Sequence, residues 1–306
     1  MSTTRRTFLG AGVRALSAAT LGVRARSVLG SDKERVTATE LASGVTLLAG
    51  AGCNVIAVHG PEGSLLVDGG YAAHSKALLR AVAHTTVDRR VNTLINTHWH
   101  PAQTGSNEPI GRAGGVILAH ERTRQYLARA VASVDYEGLY GPLPPVARPT
   151  RTTRTGGSLS FAGRQVEYGY LPAAHTDSDL YIHFPEINLL AAGGPVCADA
   201  WPLLDYRNGA WLGGLVKAHE KLVALVKPDT RIVPANGRLL TGAELARHHQ
   251  MYAQFHERMV GYMMKGWDSG DAVSDRPLKA FEAQFGDPTA FIHGAFASLN
   301  LAYAPD

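Results

Sequence analysis

Beyond a short polar stretch around residue 32, the chain alternates between brief aliphatic runs and longer amphipathic ones. VTLLAG (45–50), NVIAVHG (54–60) and SLLVDGG (64–70) are aliphatic or alternating and end in glycine, so they predict strands joined by tight turns. In HSKALLRAVAH (74–84) the apolar residues recur at helical spacing. NTLINT (92–97) and VILAH (116–120) predict buried strands, and ERTRQYLARAVASVD (121–135) predicts a helix. The Gly/Pro-rich loop YGPLPPVARPT (140–150) then divides the chain. Two polar strands follow, then LYIHF (180–184) and NLLAA (188–192). WLGGLVKAHEKLVALV (211–226) gathers Leu215, Leu222, Leu225 and Val226 on one helical face and its charges on the other. RIVPA (231–235) adds a strand, and helices are predicted from Ala243 to about Lys265 and near 289–303. The order is β-rich, α, β, α, then the same again. It predicts an α/β fold with two sheets face to face and helices outside.

Composition narrows the picture. At 306 residues and 45% hydrophobic, the chain has ample material for a core and too few charges for disorder. Its excess of basic residues is local: residues 1–30 hold Arg5, Arg6, Arg14, Arg24 and Arg26 and no acid. Without them, 25 basic residues face 26 acidic ones, which leaves no electrostatic footprint for nucleic acid. Cys53 and Cys197 have no metal-type spacing and read as small semi-buried residues, although two thiols in an oxidising compartment could pair.

The start, STTRRTFLG followed by AGVRALSAATLGV, resembles a twin-arginine translocation signal. Arg14 and Arg24 interrupt the apolar stretch, and a membrane span needs about 20 apolar residues. The resemblance implies a leader over 1–31, export by the twin-arginine machinery to the periplasm, and a mature domain over 32–306 without a stable membrane span.

Candidate chemistry begins at His98-Trp99-His100, just past a predicted strand. Residues two apart in extended chain point to one side, so the imidazoles can converge while Trp99 turns away. With a third imidazole they would suit a tetrahedral zinc that keeps one position open. His120, His183, His248, His249 and His256 lie in predicted strands or helices without an evident set of partners.

Together VDGG, NTHWHPAQTGSNE, AAHTDSDLYIHFP, AWPLLDYRNGAWLGGLVKAHEKLV and TRIVPANGRLL resemble the metallo-β-lactamase superfamily over nearly all of the mature chain. That resemblance implies an αβ/βα four-layer sandwich of two mixed sheets with the metal site at one edge. His98 and His100 match the first two histidines of the family's Thr-His-x-His-x-Asp-His loop, and His175 matches its third ligand. Asp68 matches the acidic turn after the early strands and is expected to orient a ligand histidine or the loop backbone.

The departures fall on one side. Ala102 and Gln103 stand where the family has Asp and His, Gly194 replaces the bridging aspartate, and Asn236 replaces the last histidine. All first-metal ligands are kept and all ligands specific to the second are neutral. One zinc per chain is therefore expected, with second-metal affinity returning if Asp or His were restored at these four positions. Gln103 and Asn236 can orient a water or a carbonyl but cannot act as bases near neutral pH. Asp177, Asp179 and Asp199 are the nearby carboxylates; Asp177 is carried as a catalytic candidate, although turn capping is the commoner task of such residues.

Two functions remain in view. One is a periplasmic mononuclear zinc hydrolase acting on a small carbonyl, ester or amide substrate, with Trp99, Tyr140, Trp201 and Trp211 as an aromatic rim. The other is a catalytically degenerate member of the fold that serves as a binding or accessory protein.

Overall fold

The structure, a computed structural model, describes residues 26–27, 36–85 and 90–303. The Arg5-Arg6 motif and the apolar stretch behind it lie outside the described residues. Among those described, no helix is long and apolar enough to cross a membrane.

One sheet contains β1 (Arg26–Ser27), β2 (Thr37–Ala42), β3 (Val45–Ala49), β4 (Val55–Gly60), β5 (Gly63–Val67), β6 (Val91–Ile95), β7 (Val116–His120) and β8 (Arg151–Thr153), side by side in chain order. Pairing is antiparallel as far as β5 and parallel from β5 to β8. The other sheet has the order β14-β13-β12-β11-β10-β9, built from β9 (Gly156–Phe161), β10 (Arg164–Tyr170), β11 (Leu180–Phe184), β12 (Leu189–Gly193), β13 (Arg231–Pro234) and β14 (Leu240–Thr241). Only β12 and β13 pair in parallel there.

Strand alternation explains why the runs are apolar throughout. Leu65 and Val67 enter the core between the sheets, while Leu66 faces the layer under α1 (Ser75–Thr85). In the other sheet Leu189 and Ala191 join the same central core. Leu190 and Ala192 face α5 (Leu212–Leu225), α6 (Gly242–Met264) and α9 (Thr289–Tyr303). A strand covered on both faces has no solvent side to make polar. The layers therefore run helix, sheet, sheet, helix, as the sequence pattern and the family resemblance predict.

Local signals mark several boundaries. A capping box joins Thr241 and Glu244 at the start of α6. Two short helices after the histidine pair, α2 (Pro101–Thr104) and α3 (Asn107–Arg112), have no counterpart in the sequence reading, because each is too short for a periodic signal. The helix expected over 121–135 is corrected: α4 spans only Glu121–Tyr126. Beyond it Val131 pairs with Tyr140 in an isolated antiparallel bridge, and Ser133 is tied to Asp205. Tertiary hydrogen bonds take over a segment that local propensity favoured as helix. The small remaining helices are α7 (Ser269–Ser274) and α8 (Glu282–Phe285).

Candidate metal centre

The centre forms at strand ends. Asp68 follows β5, His98 and His100 follow β6, His175 follows β10, and Gly194 follows β12. His98, His100 and His175 are all buried, and one ring nitrogen of each lies within 4.8 Å of the others. The rings meet edge to face, with centroids 4.6–4.9 Å apart. Among the described residues they are the group of three or more side chains that could hold a metal ion.

Each imidazole has its other nitrogen committed. His98 Nδ1 lies 3.0 Å from Thr97 Oγ1, and that hydroxyl donates to Asp68 Oδ2 at 2.8 Å. Because the hydroxyl proton is spent on Asp68, His98 Nδ1 must be the donor to Thr97. His175 Nδ1 donates to the Leu203 carbonyl at 2.7 Å, and His100 Nε2 donates to Asp205 Oδ2 at 3.1 Å. With these tautomers, His98 Nε2, His100 Nδ1 and His175 Nε2 present bare lone pairs to a common point. His100 Nδ1 and His175 Nε2 stand only 3.0 Å apart with no proton between them.

Burial pushes the His98 ring well below its ordinary value, helped by the neighbouring histidines. Burial also pushes His100 down, against the opposing pull of Asp205. Converging imidazole lone pairs fit a cation, and three imidazoles match the donor set of zinc.

Asp68 takes up the orienting position expected of it. It accepts from the Thr97 N–H at 2.7 Å and from the Thr97 hydroxyl, so it fixes both the loop backbone and, through Thr97, the His98 ring. Its backbone is left-handed (φ 66°), and burial pushes its carboxyl up to about 7. Asp205 was missed by sequence reading. It is fully buried and also accepts from Ser133 Oγ at 2.9 Å and Asn208 Nδ2 at 2.8 Å. Burial alone would raise its carboxyl, but the His100 ring and these donors outweigh it and hold the group below its usual value. The available signal was a lone acid between Leu204 and Tyr206 in a loop otherwise suited to burial.

The remaining candidates distribute as follows. Gln103 is buried in α2 beside the pair, and its Oε1 has no hydrogen-bond partner among the described residues. Asn236 is exposed, and its amide donates to the Gly52 and Ala235 carbonyls, bridging two loops. Asp177 forms an ion pair with Arg122 and bonds the Tyr126 hydroxyl; burial raises its carboxyl despite both. Asp179 caps the turn of its own segment, accepting from the His175 and Thr176 N–H groups at 2.8 and 2.9 Å. Asp199 pairs with Arg238 on the surface at 3.2 Å. Cys53 and Cys197 are both free thiols.

Two expectations are corrected. Trp99 is no part of a rim: it is fully buried and stacks on Tyr126, 4.8 Å between centroids. Restoring an aspartate at Gly194 would not rebuild a second site beside an intact first one. A Cβ there would lie 2.2 Å from His175 Cδ2 and 2.5 Å from Cγ. The His175 ring occupies the space any side chain at 194 would need.

A cavity of about 610 Å³ is lined by Val134, Trp201, Leu203, Leu204, Tyr206 and Phe291 among others, with none of the three histidines in its lining. Leu203 is the residue whose carbonyl holds His175, and Val134 and Leu204 adjoin Asp135 and Asp205 in the chain.

Known structures share this architecture. A metallo-beta-lactamase from Pontibacter korlensis is 20% identical with a TM-score of 0.54, covering 75% of this chain and 99% of that one. The stereoselective inverting sec-alkylsulfatase Pisa1 from Pseudomonas sp. is 14% identical with a TM-score of 0.63 over 88% of this chain, but only 52% of its own length is matched. DIM-1 metallo-beta-lactamase is 16% identical with a TM-score of 0.53, covering 76% of this chain and 99% of that one. At such identities the likeness is one of fold. In sequence, the family profile described as "Metallo-beta-lactamase superfamily" matches residues 48–237, a span holding all three histidines, Asp68 and Asp205. The chain belongs to the metallo-beta-lactamase superfamily.

Proposed function

We propose that the protein is a mononuclear zinc hydrolase, exported by the twin-arginine route to the periplasm, that acts on a small ester, amide or related carbonyl substrate. The observation that carries the reading is the set of three bare imidazole nitrogens, each fixed by an acceptor behind it. His98 Nε2, His100 Nδ1 and His175 Nε2 would hold the ion. Bound there, zinc supplies Lewis-acid activation of water and of a substrate carbonyl.

The chain's own residues then position and exclude. Asp68 through Thr97, Asp205, and the Leu203 carbonyl keep the rings in their metal-binding tautomers. Gln103, with an unpaired buried carbonyl oxygen, supplies an acceptor able to orient a polar group. β-Lactams are not the favoured substrate, because the positions of the second metal are neutral here.

The first experiment is elemental analysis of protein purified without chelator or His tag, beside a His98→Ala/His175→Ala variant. One zinc per chain, lost in the variant, is expected, together with zinc-dependent turnover that His98→Ala abolishes. The screen should span carboxylic esters and amides, with β-lactams and secondary alkyl sulfates included because structural neighbours carry those names. No metal in the parent protein, or two per chain, would overturn the mononuclear centre. One zinc without turnover on any substrate would favour the binding or accessory reading.

A further inference from the structure

The cavity of about 610 Å³ has two walls of different origin. One is the segment 201–206, which contributes Trp201, Leu203, Leu204 and Tyr206. The other is α9, which lies beyond residues 48–237 and so outside the part of the chain that the family profile matches.

The helix wall is cut back. Ala290, Gly294 and Ala297 follow one another at i, i+4 and i+7, on one face of α9, and all three line the cavity. Among the described residues, a Cβ at Gly294 would meet nothing within 4 Å, so the helix leaves space there instead of packing on a neighbour. Aromatic rings bound that space. Trp201 stacks on Phe291 with 5.3 Å between centroids, and its Nε1 donates to the Gly286 carbonyl at 2.9 Å, which fixes the ring. Tyr206 adds a third ring, and ionisable groups enter only through the exposed Asp287 and His293. The volume lies in the range of small-molecule sites, and rings held in place favour contact with another ring.

The same segment supports the histidines from behind. The Leu203 carbonyl accepts from His175 Nδ1, and the Asp205 carboxylate accepts from His100 Nε2. Leu203 and Leu204, which line the cavity, thus belong to the stretch that fixes two of the three imidazoles. Val134 lines the cavity as well, and its N–H donates to Asp205 Oδ1 at 3.4 Å. A molecule seated here holds that stretch in its present course, and by linkage each ligand then favours the other.

We propose that the cavity is a ligand site separate from the three histidines, which takes a small neutral aromatic molecule and tightens metal binding when occupied. The coupling rests on the metal-centre reading above; the binding does not.

The test titrates full-length protein with 2-naphthol by calorimetry, beside its saturated counterpart decahydro-2-naphthol. Gly294→Phe fills the cavity from a position whose Cβ has free space, and Gly261→Phe, at another such helical glycine outside the cavity, is the control. The parent should bind 2-naphthol saturably and the saturated alcohol about three-fold or more weakly. Gly294→Phe should weaken 2-naphthol at least about ten-fold, and Gly261→Phe should not. By chelator competition, 2-naphthol should tighten zinc about five-fold in the parent and leave it unchanged in Gly294→Phe. No binding by the parent, or equal binding by parent and Gly294→Phe, would overturn the site, and equal binding of the two alcohols would overturn its aromatic class. Binding that leaves zinc affinity unchanged would overturn the coupling. A parent that binds 2-naphthol but no zinc would overturn the metal-centre reading and the coupling with it, while the site stands.

Discussion

Asp205 and Asp68 act on the centre without pointing at the metal position. Each stands behind a histidine and decides which ring nitrogen carries the proton, Asp205 directly and Asp68 through the Thr97 hydroxyl. A buried carboxylate in this position orients the ring and raises its basicity, and losing such a partner typically costs 10–100-fold in metal affinity. Asp205→Asn keeps size and one acceptor oxygen but removes the charge. Zinc affinity by chelator competition should fall by about that factor, with the far-ultraviolet circular dichroism unchanged. Undiminished affinity would mean that the His100 tautomer is fixed by something else.

At the scale of elements, the centre depends on how closely the end of β12 approaches the turn after β10. Gly193 is left-handed (φ 64°) with Thr97 against it, and Gly194 leaves room for the His175 ring and nothing more. Gly194→Ala should therefore push His175 out of line. Overpacking of this kind costs about 1–3 kcal/mol. The expected signature is sub-stoichiometric zinc by elemental analysis, with a modest loss of urea stability. A fully loaded Gly194→Ala protein would show that the ring can yield without loss.

At the scale of the molecule, stability should fall in acid through histidines far from the centre. His219 is fully buried in α5; its Nδ1 bonds the Leu215 carbonyl, and burial pushes its pKa down to about 3. Below about 6.5 the unfolded chain gains a proton there that the native state refuses, so the unfolding free energy falls as pH falls. The loss runs at about 1.4 kcal/mol per pH unit until the native group titrates. Between pH 7 and pH 5, His219→Leu should lose about 2 kcal/mol less than the parent in urea unfolding. Equal losses would mean that His219 is not held neutral in the fold. His248, pushed down to about 4 by burial, adds to the parent's slope and remains in the variant.

Much of this was legible in the chain alone. Long aliphatic runs such as SLLV and NLLAA revealed strands covered on both faces, because burial on two sides forces a pattern that one sequence segment carries whole. The pair His98 and His100 was legible because its geometry is local, and His175 because it sits in a recognisable turn. The helix expected over 121–135 failed where Ser133 and Val134 were claimed by Asp205, some seventy positions along the chain. Trp99 looked like a rim residue because sequence says nothing of which side of a loop is filled.

The sequence by itself therefore determined the layers, the family and the three imidazoles. Each follows from periodicity or from a motif short enough to be read in place. Only the tertiary structure decided which nitrogen of each ring is bare, that Asp205 stands behind His100, and that Gly194 cannot carry a side chain. Those depend on distances between residues remote in sequence, set by the packing of two sheets, and no local pattern encodes them.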